Sequence, residues 1–522
     1  MRYSKFILTL ALAATTFWSC TKDFEAINTD PNAIPENGMD YNLLFSSAQV
    51  YHAGTDYNVW RNGLIYCATM VQHLASTQSY WNGDKYTYDA AYNAAHWDRD
   101  YPNAVKDITM VLSKFKDDPA KANAYHIARI MRVAIFQKMT DLYGDIPYSE
   151  AGLGYLDGVG YPKYDTQEAI YHDLYKELNE AASALDANAA NTLSTADLIY
   201  GGNVDKWKKF AYSFMVRLGL RLSKVDPQTG SQWVNRALEG GVFTGNDDNA
   251  MMQHQLNTTD AANAYGKVLV YQDANASRVS EAFINQLKGT HDPRLIYIAT
   301  VAEAPQLAYG NANYDLGDTT AAKQLGMPNG YDELGAETDI SKAPNWPGNL
   351  NNYSIVNRYT YARLDAPSFL LTHAETQLLL AEAANRGWIG GDAKAYYDEG
   401  VKAAILQMNQ LGASPAVTES QATAYLTANP FDANQALEQI NTQYWIATFM
   451  DEYEAWTNYR RSGYPILKEV NYFNNVTNGK VPRRFTYPTS EASINTANYN
   501  EAVSRYRNGD RMTSRMWWDV EQ

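Results

Sequence analysis

The chain runs to 522 residues, of which 45% are hydrophobic and only 19% charged, a balance that allows a large core and argues against disorder. Its net charge of −15, with no long basic run, argues against a nucleic-acid partner and against attraction of the body to an anionic membrane surface. With Cys20 at the end of the leader, Cys67 stands alone in the rest of the chain, so there is no disulfide framework and no cysteine-based metal site; its apolar neighbours read it as a buried, inert thiol.

In chain order, Arg2 and Lys5 precede an apolar run from Phe6 to Trp18 that is shorter than the ~20 residues needed to span a bilayer. Residues 1–19 therefore read as a signal peptide. Ser19-Cys20 reads as a bacterial lipobox that makes Cys20 the acylated first residue of the mature chain, although Phe17 and Trp18 depart from the usual Leu and small residue. Residues 20–40, with Pro31 and Pro35 and little apolar periodicity, read as a tether, and residues 41–522 as a single domain.

Helices dominate that domain. In 121–143, Ala124, Ile127, Ala128, Met131, Ile135, Met139 and Leu142 recur at helical spacing, with Gly144 and Pro147 as stop signals. A second helix starts at Thr166 and buries Ile170, Leu174, Leu178, Ala181 and Leu185. Further helices are expected near 204–224, 229–239, 279–288, 367–386, 392–411, 418–428 and 433–459. Pairing of 104–116 with 121–143, 166–186 with 204–224, and 367–386 with 392–411 predicts a mostly α fold. Its scaffold is tetratricopeptide-like helix pairs, interrupted by long, irregular, aromatic-rich insertions at about 76–100 and 301–363.

Catalytic signatures are missing: there is no HExxH, GxSxG, P-loop or GxGxxG, and the 8 His residues show no ligand spacing. Asp141, Asp145 and Glu150 form the one compact carboxylate group with glycosidase potential, but helix-end and turn roles explain Asp141 and Asp145. Asn246-Asp247-Asp248-Asn249 reads as a solvated loop rather than a Ca²⁺ site, and no metal or cofactor is assigned. Asp292-Pro293-Arg294 reads as a helix start with Pro at its first position and an Arg able to pair with a buried carboxylate.

Several segments, taken together and in order, carry a resemblance. They are Phe24–Asn32, Asp141-Leu142-Tyr143-Gly144-Asp145-Ile146-Pro147-Tyr148, Asp292-Pro293-Arg294 and Ala374–Ala384. Trp456–Pro465, Tyr487-Pro488 with Glu491, and Trp517-Trp518-Asp519 complete the series. The chain resembles the SusD/RagB family of outer-membrane nutrient-binding lipoproteins. That resemblance implies a helical scaffold whose matched motifs are structural, a lipid anchor at the cell surface, and a SusC-type TonB-dependent transporter as partner. It also implies a non-enzymatic role in capturing oligosaccharides or, in some members, peptides. A surface glycoside hydrolase is the alternative.

The resemblance supplies no shared binding motif, so candidate ligand contacts come from the residues. Sugars present an apolar face that Trp and Tyr rings cover and a hydroxyl rim that Asn, Asp or Arg satisfies. The first insertion offers Tyr80, Trp81, Asn82, Asp84 and Tyr86; the second offers Tyr314, Tyr331, Trp346, Asn349, Asn351 and Tyr353. Trp81 and Trp346 lead, because Asn82-Gly83 and Pro347-Gly348 are expected to hold them at loop tips. Their meeting in space would favour binding over a purely structural role. Trp97 and Trp456 are expected in the core.

Overall fold

The computed structural model describes residues 38–256 and 261–521, so the leader and Cys20 lie outside the described residues. The expected helices form. Helix α1 spans Tyr41–Ala53, α2 Ala90–Asp100, α3 Lys106–Phe115 and α4 Ala122–Tyr143. They are followed by α5 (Gln167–Ala184), α6 (Val204–Arg221), α7 (Pro227–Gly240) and α8 (Glu281–Gly289). The last group is α9 (His373–Asn385), α10 (Ala393–Leu406), α11 (Glu419–Ala428), α12 (Ala436–Ala447) and α13 (Glu452–Ser462). Strands are short: β1 Leu74–Ala75, β2 Ile146–Pro147, β3 Tyr164–Asp165, β4 Ala250–Met252, β5 Arg278–Val279, β6 Ala299–Thr300, β7 Ile355–Val356 and β8 Ser368–Leu371. They pair antiparallel as β1–β5, β2–β3, β4–β8 and β6–β7.

Side-chain caps fix many helix ends. The Thr166 hydroxyl accepts from Ala169 N at 3.3 Å, and Asp392 Oδ1 accepts from Lys394 N at 3.0 Å. Gly144 closes α4 with φ +83°, and a Cβ there would sit 2.2 Å from the Tyr506 hydroxyl. Three expectations about boundaries are corrected. Residues 368–371 are strand β8, and α9 begins later, at a capping box made by Thr372 and Glu375. The span 433–459 is broken into α12 and α13, because Met450 takes φ +69°, which no α-helix continues. Within the first insertion, 90–100 is helical, capped by Asp89 accepting from Tyr92 N at 2.8 Å.

All the expected helix pairs pack: α3 on α4, α5 on α6, and α9 on α10. In addition, α6 packs on α7, and α9 on α12. Buried ion pairs, several of them through α6, tie together segments that carry the resemblance. Arg217 on α6 meets Glu375 on α9 at 2.7 Å, and Arg221 on α6 meets Glu454 on α13 at 2.5 Å and Asp141 on α4 at 3.4 Å. Arg461 on α13 pairs with Glu382 on α9 at 2.6 Å, and Trp518 Nε1 donates to Asp141 Oδ1 at 3.0 Å. Buried charges are tolerated because each is paired, and breaking a pair is strongly unfavourable.

Other readings resolve in the same structural direction. Trp97, Trp456 and Cys67 are buried, and burial pushes the Cys67 thiol well up, which keeps it inert. Asp145 accepts from Gln167 N at 2.8 Å and pairs with Arg505, while Asp248 pairs with Lys209 at 2.8 Å. Arg294 pairs with Asp292 at 2.6 Å as expected, but the short helix there begins at Leu295, past Pro293, so Pro293 does not hold its first position.

Candidate functional site

A group of aromatic rings is organised by a segment outside both predicted insertions. A π-helical turn, Val268–Gln272, ends with Asp273 N donating to Val268 O at 2.8 Å. Asp273 then collects the polar edges of several aromatic rings. Its Oδ1 accepts from the Tyr80 hydroxyl at 2.8 Å, and its Oδ2 accepts from Trp60 Nε1 at 3.0 Å and Trp81 Nε1 at 3.1 Å. The Trp60 and Tyr80 rings meet edge to face, with centroids 6.4 Å apart. Trp60 and Tyr80 are half-buried and Trp81 is fully buried, so Trp81 anchors the pair rather than joining it at the surface. Partial burial, then the Asp273 carboxylate, push the Tyr80 hydroxyl well up, so it stays a protonated donor.

Cations flank this pair. The Arg61 guanidinium lies 4.0 Å over the Tyr57 ring and 5.1 Å from that of Trp60, and Arg99 stands 4.5 Å over Tyr57. Beyond Asp273, Tyr271 is 48% exposed, and Tyr309 is 39% exposed. Tyr309 N donates to Val270 O at 2.6 Å, which brings the second insertion alongside Tyr271. The half-buried Trp60 and Tyr80 rings thus stand beside an acid and a guanidinium, an arrangement suited chemically to a ligand with apolar faces and a polar rim.

Why Trp81 is buried follows from Gly83. A Cβ at Gly83 would lie 2.3 Å from Ile65 O and 2.5 Å from Tyr66 Cα, so the turn Asn82–Lys85 is pressed onto the π-helical stretch Val59–Ala68. The glycine therefore serves close backbone approach rather than a projecting tip. Tyr86 is buried by the same packing and takes φ +53° at the end of that turn. Asn82 is half-buried within the turn, and its carbonyl accepts from Thr87 N at 3.0 Å. Asp84, offered as a hydroxyl acceptor, is buried and instead accepts from Asn329 Nδ2 at 2.6 Å, tying the two insertions together.

The second insertion has its own small core. Met327, Ile340, Ala343 and Tyr353 bury one another with Ala75, and Tyr331, Trp346 and Leu350 pack against them. Tyr353 is fully buried and Trp346 rests beside it at 6.1 Å between centroids. Trp81 and Trp346 thus belong to different packing groups, and Trp81 does not project from the loop tip expected of it. Tyr314 is half-buried beneath Arg358, whose guanidinium stands 4.4 Å from its ring, and edge-on to Tyr309 at 5.8 Å. Asn351 donates to Glu303 O at 3.0 Å, and the Asn349 side chain caps its own turn by accepting from Asn351 N at 2.9 Å. Tyr331 lines a separate cleft of about 490 Å³ with Asn329, Glu469 and Lys468.

Of the expected contacts, Tyr80 stands with Trp60 on Asp273, Tyr314 packs on Tyr309, and Trp81, Tyr86 and Tyr353 are buried. Trp60, Tyr271 and Asp273 were missed. Tyr271-Gln272-Asp273-Ala274-Asn275 has the same ring, amide and acid composition as the insertions, but the run is too short to stand out, and Trp60, in Tyr57-Asn58-Val59-Trp60-Arg61-Asn62, lies outside both insertions.

Known proteins agree with this architecture. The SusD-like_2 family model, described as "Starch-binding associating with outer membrane", matches residues 35–488. A solved "chitin-binding protein" is 33% identical, covering 92% of this chain and 100% of its own, with a TM-score of 0.80. A structure described as "Bacteroidetes AC2a SusD-like" is 29% identical over 92% of this chain and 100% of its own, with a TM-score of 0.82. A chitin-binding SusD homolog from Flavobacterium johnsoniae shares the fold at 23% identity over 92% of this chain and 98% of its own, with a TM-score of 0.74. No curated protein matches by sequence. The helical scaffold, the buried motif network and the extent of the match together show that the chain belongs to the SusD-like family.

Proposed function

We propose that the protein is a non-catalytic glycan-binding lipoprotein of the outer-membrane surface. It captures an oligosaccharide on the Asp273-centred aromatic face and passes it to a SusC-type TonB-dependent transporter. The Trp60–Tyr80 ring pair, held by one carboxylate and left half-exposed, carries the reading. Such rings cover the apolar face of a pyranose, while Asp273 and Arg61 answer its hydroxyls. The name of the 33% identical relative makes chitin-type oligomers of N-acetylglucosamine the first ligands to try.

The carboxylates with hydrolase potential are otherwise engaged, which supports binding over hydrolysis: Asp141 holds Arg221 and Trp518, and Asp145 holds Arg505. Anchoring is assigned to acyl chains on Cys20, and no described helix is long and apolar enough to cross a membrane.

The test is calorimetric titration of the chain from Thr21 onward with chito-, malto- and xylo-oligosaccharides and with a peptide mixture. Binding of one glycan class, weakened about tenfold or more in Trp60→Ala/Tyr80→Ala while the fold persists, is the expected result. Binding of peptide alone would replace the ligand, and binding of neither would overturn the capture role. For the anchor, Cys20→Ala is expected to abolish incorporation of labelled palmitate.

A further inference from the structure

We infer that the protein carries a second sugar-binding cleft, walled by Tyr88 and Tyr499 and floored by Thr486, apart from the Asp273 face. The cleft has a volume of about 530 Å³, within the roughly 300–1,000 Å³ of small-molecule sites. Its ring wall is built from distant parts of the chain. Tyr88, 45% exposed, comes from the first insertion; Tyr499 comes from the C-terminal helix Thr496–Ser504 and packs on Tyr487 with centroids 6.0 Å apart.

The polar groups are those a hydroxyl-rich ligand needs. Thr486 is buried, yet its hydroxyl has no partner in the protein, a state that ordinarily calls for a ligand or water. Asp510, on the cleft lining, is fixed by Arg484 at 2.8 Å, by the Tyr499 hydroxyl at 3.3 Å and by Tyr487 N at 3.2 Å from each oxygen, so its carboxylate holds the Tyr499 ring in place. Exposed Arg511 and Thr489 stand at the rim, and Val476, 49% exposed, supplies an apolar wall. Two ring faces beside a buried hydroxyl without a protein partner and a rim guanidinium fit a sugar unit, whose apolar face the rings cover and whose hydroxyls the polar groups answer.

This inference uses none of the residues around Asp273, so its test starts from the Trp60→Ala/Tyr80→Ala variant. Saturation-transfer NMR is run with chitotriose, maltotriose, cellotriose and xylotriose as probes. At least one trisaccharide is expected to receive transfer, and adding Tyr88→Ala/Tyr499→Ala is expected to weaken it about tenfold or more. Thr486→Val, which keeps the side-chain shape, is expected to weaken the same probe. No transfer to any probe, or transfer untouched by both sets of substitutions, would overturn the second cleft. An unaltered wild-type affinity in Trp60→Ala/Tyr80→Ala would instead count against the Asp273 face alone.

Discussion

The Tyr80 hydroxyl donates to Asp273 Oδ1 at 2.8 Å across 193 positions of sequence, and this bond joins the first aromatic insertion to the turn that follows residues 268–272. Because Asp273 Oδ2 also holds the indoles of Trp60 and Trp81, one carboxylate sets the orientation of the whole ring group. A preorganised face loses less side-chain freedom on binding than loose rings would.

Asp273→Ala is therefore expected to weaken glycan binding by roughly tenfold, about 1.4 kcal/mol, with rings still present but unheld. Asp273→Asn, which keeps one oxygen acceptor, should fall between that variant and the wild type. Calorimetric titration measures both, and equal affinity in all three proteins would refute the orienting role.

Trp60→Ala and Trp81→Ala should separate binding from stability. Trp60 is half-exposed, so its loss is expected to reduce affinity by roughly 1–2 kcal/mol with little change in unfolding. Trp81 is fully buried, so its truncation is expected to cost about 3–5 kcal/mol of stability. Denaturant titration beside ligand titration distinguishes the two.

Gly83→Ala tests the close approach that buries Trp81. A Cβ would meet backbone atoms of Ile65 and Tyr66 at 2.3 and 2.5 Å, and backbone cannot step aside as a flexible side chain can. A destabilisation of roughly 1–3 kcal/mol is expected, with faster hydrogen exchange in 76–90 than elsewhere. Unchanged exchange there would contradict the packing argument.

The buried Glu382–Arg461 pair predicts an acid limb of stability. Burial raises the Glu382 carboxyl, but Arg461, Arg386 and Asn441 outweigh burial and bring it down to about 2 from an ordinary 4.5. A depressed carboxyl contributes stability in full above pH 4.5 and loses it as pH falls toward 2, by roughly 3 kcal/mol in all. Arg461→Met should shorten that limb and cost roughly 1–3 kcal/mol at neutral pH, because Glu382 then keeps only Arg386, at 2.8 Å, as a cationic partner. Urea unfolding at a series of pH values reads both effects.

Local chemistry made much of the scaffold legible. The spacing of Ile127, Met131 and Ile135 dictates a buried helical stripe, and Thr166 caps the next helix, because both depend on neighbours within a turn or two. The order of the motif segments likewise pointed to the SusD-like family, whose model matches residues 35–488. What tertiary structure alone decided is which rings face solvent. Trp81 and Tyr353 look as available in sequence as Tyr80, yet they are buried, while Trp60 and Tyr271, both outside the aromatic insertions, reach the surface. Ring exposure is set by long-range packing, here by Gly83 against Ile65 and by Asp273 reaching back to Tyr80, and no local periodicity encodes contacts separated by so much chain.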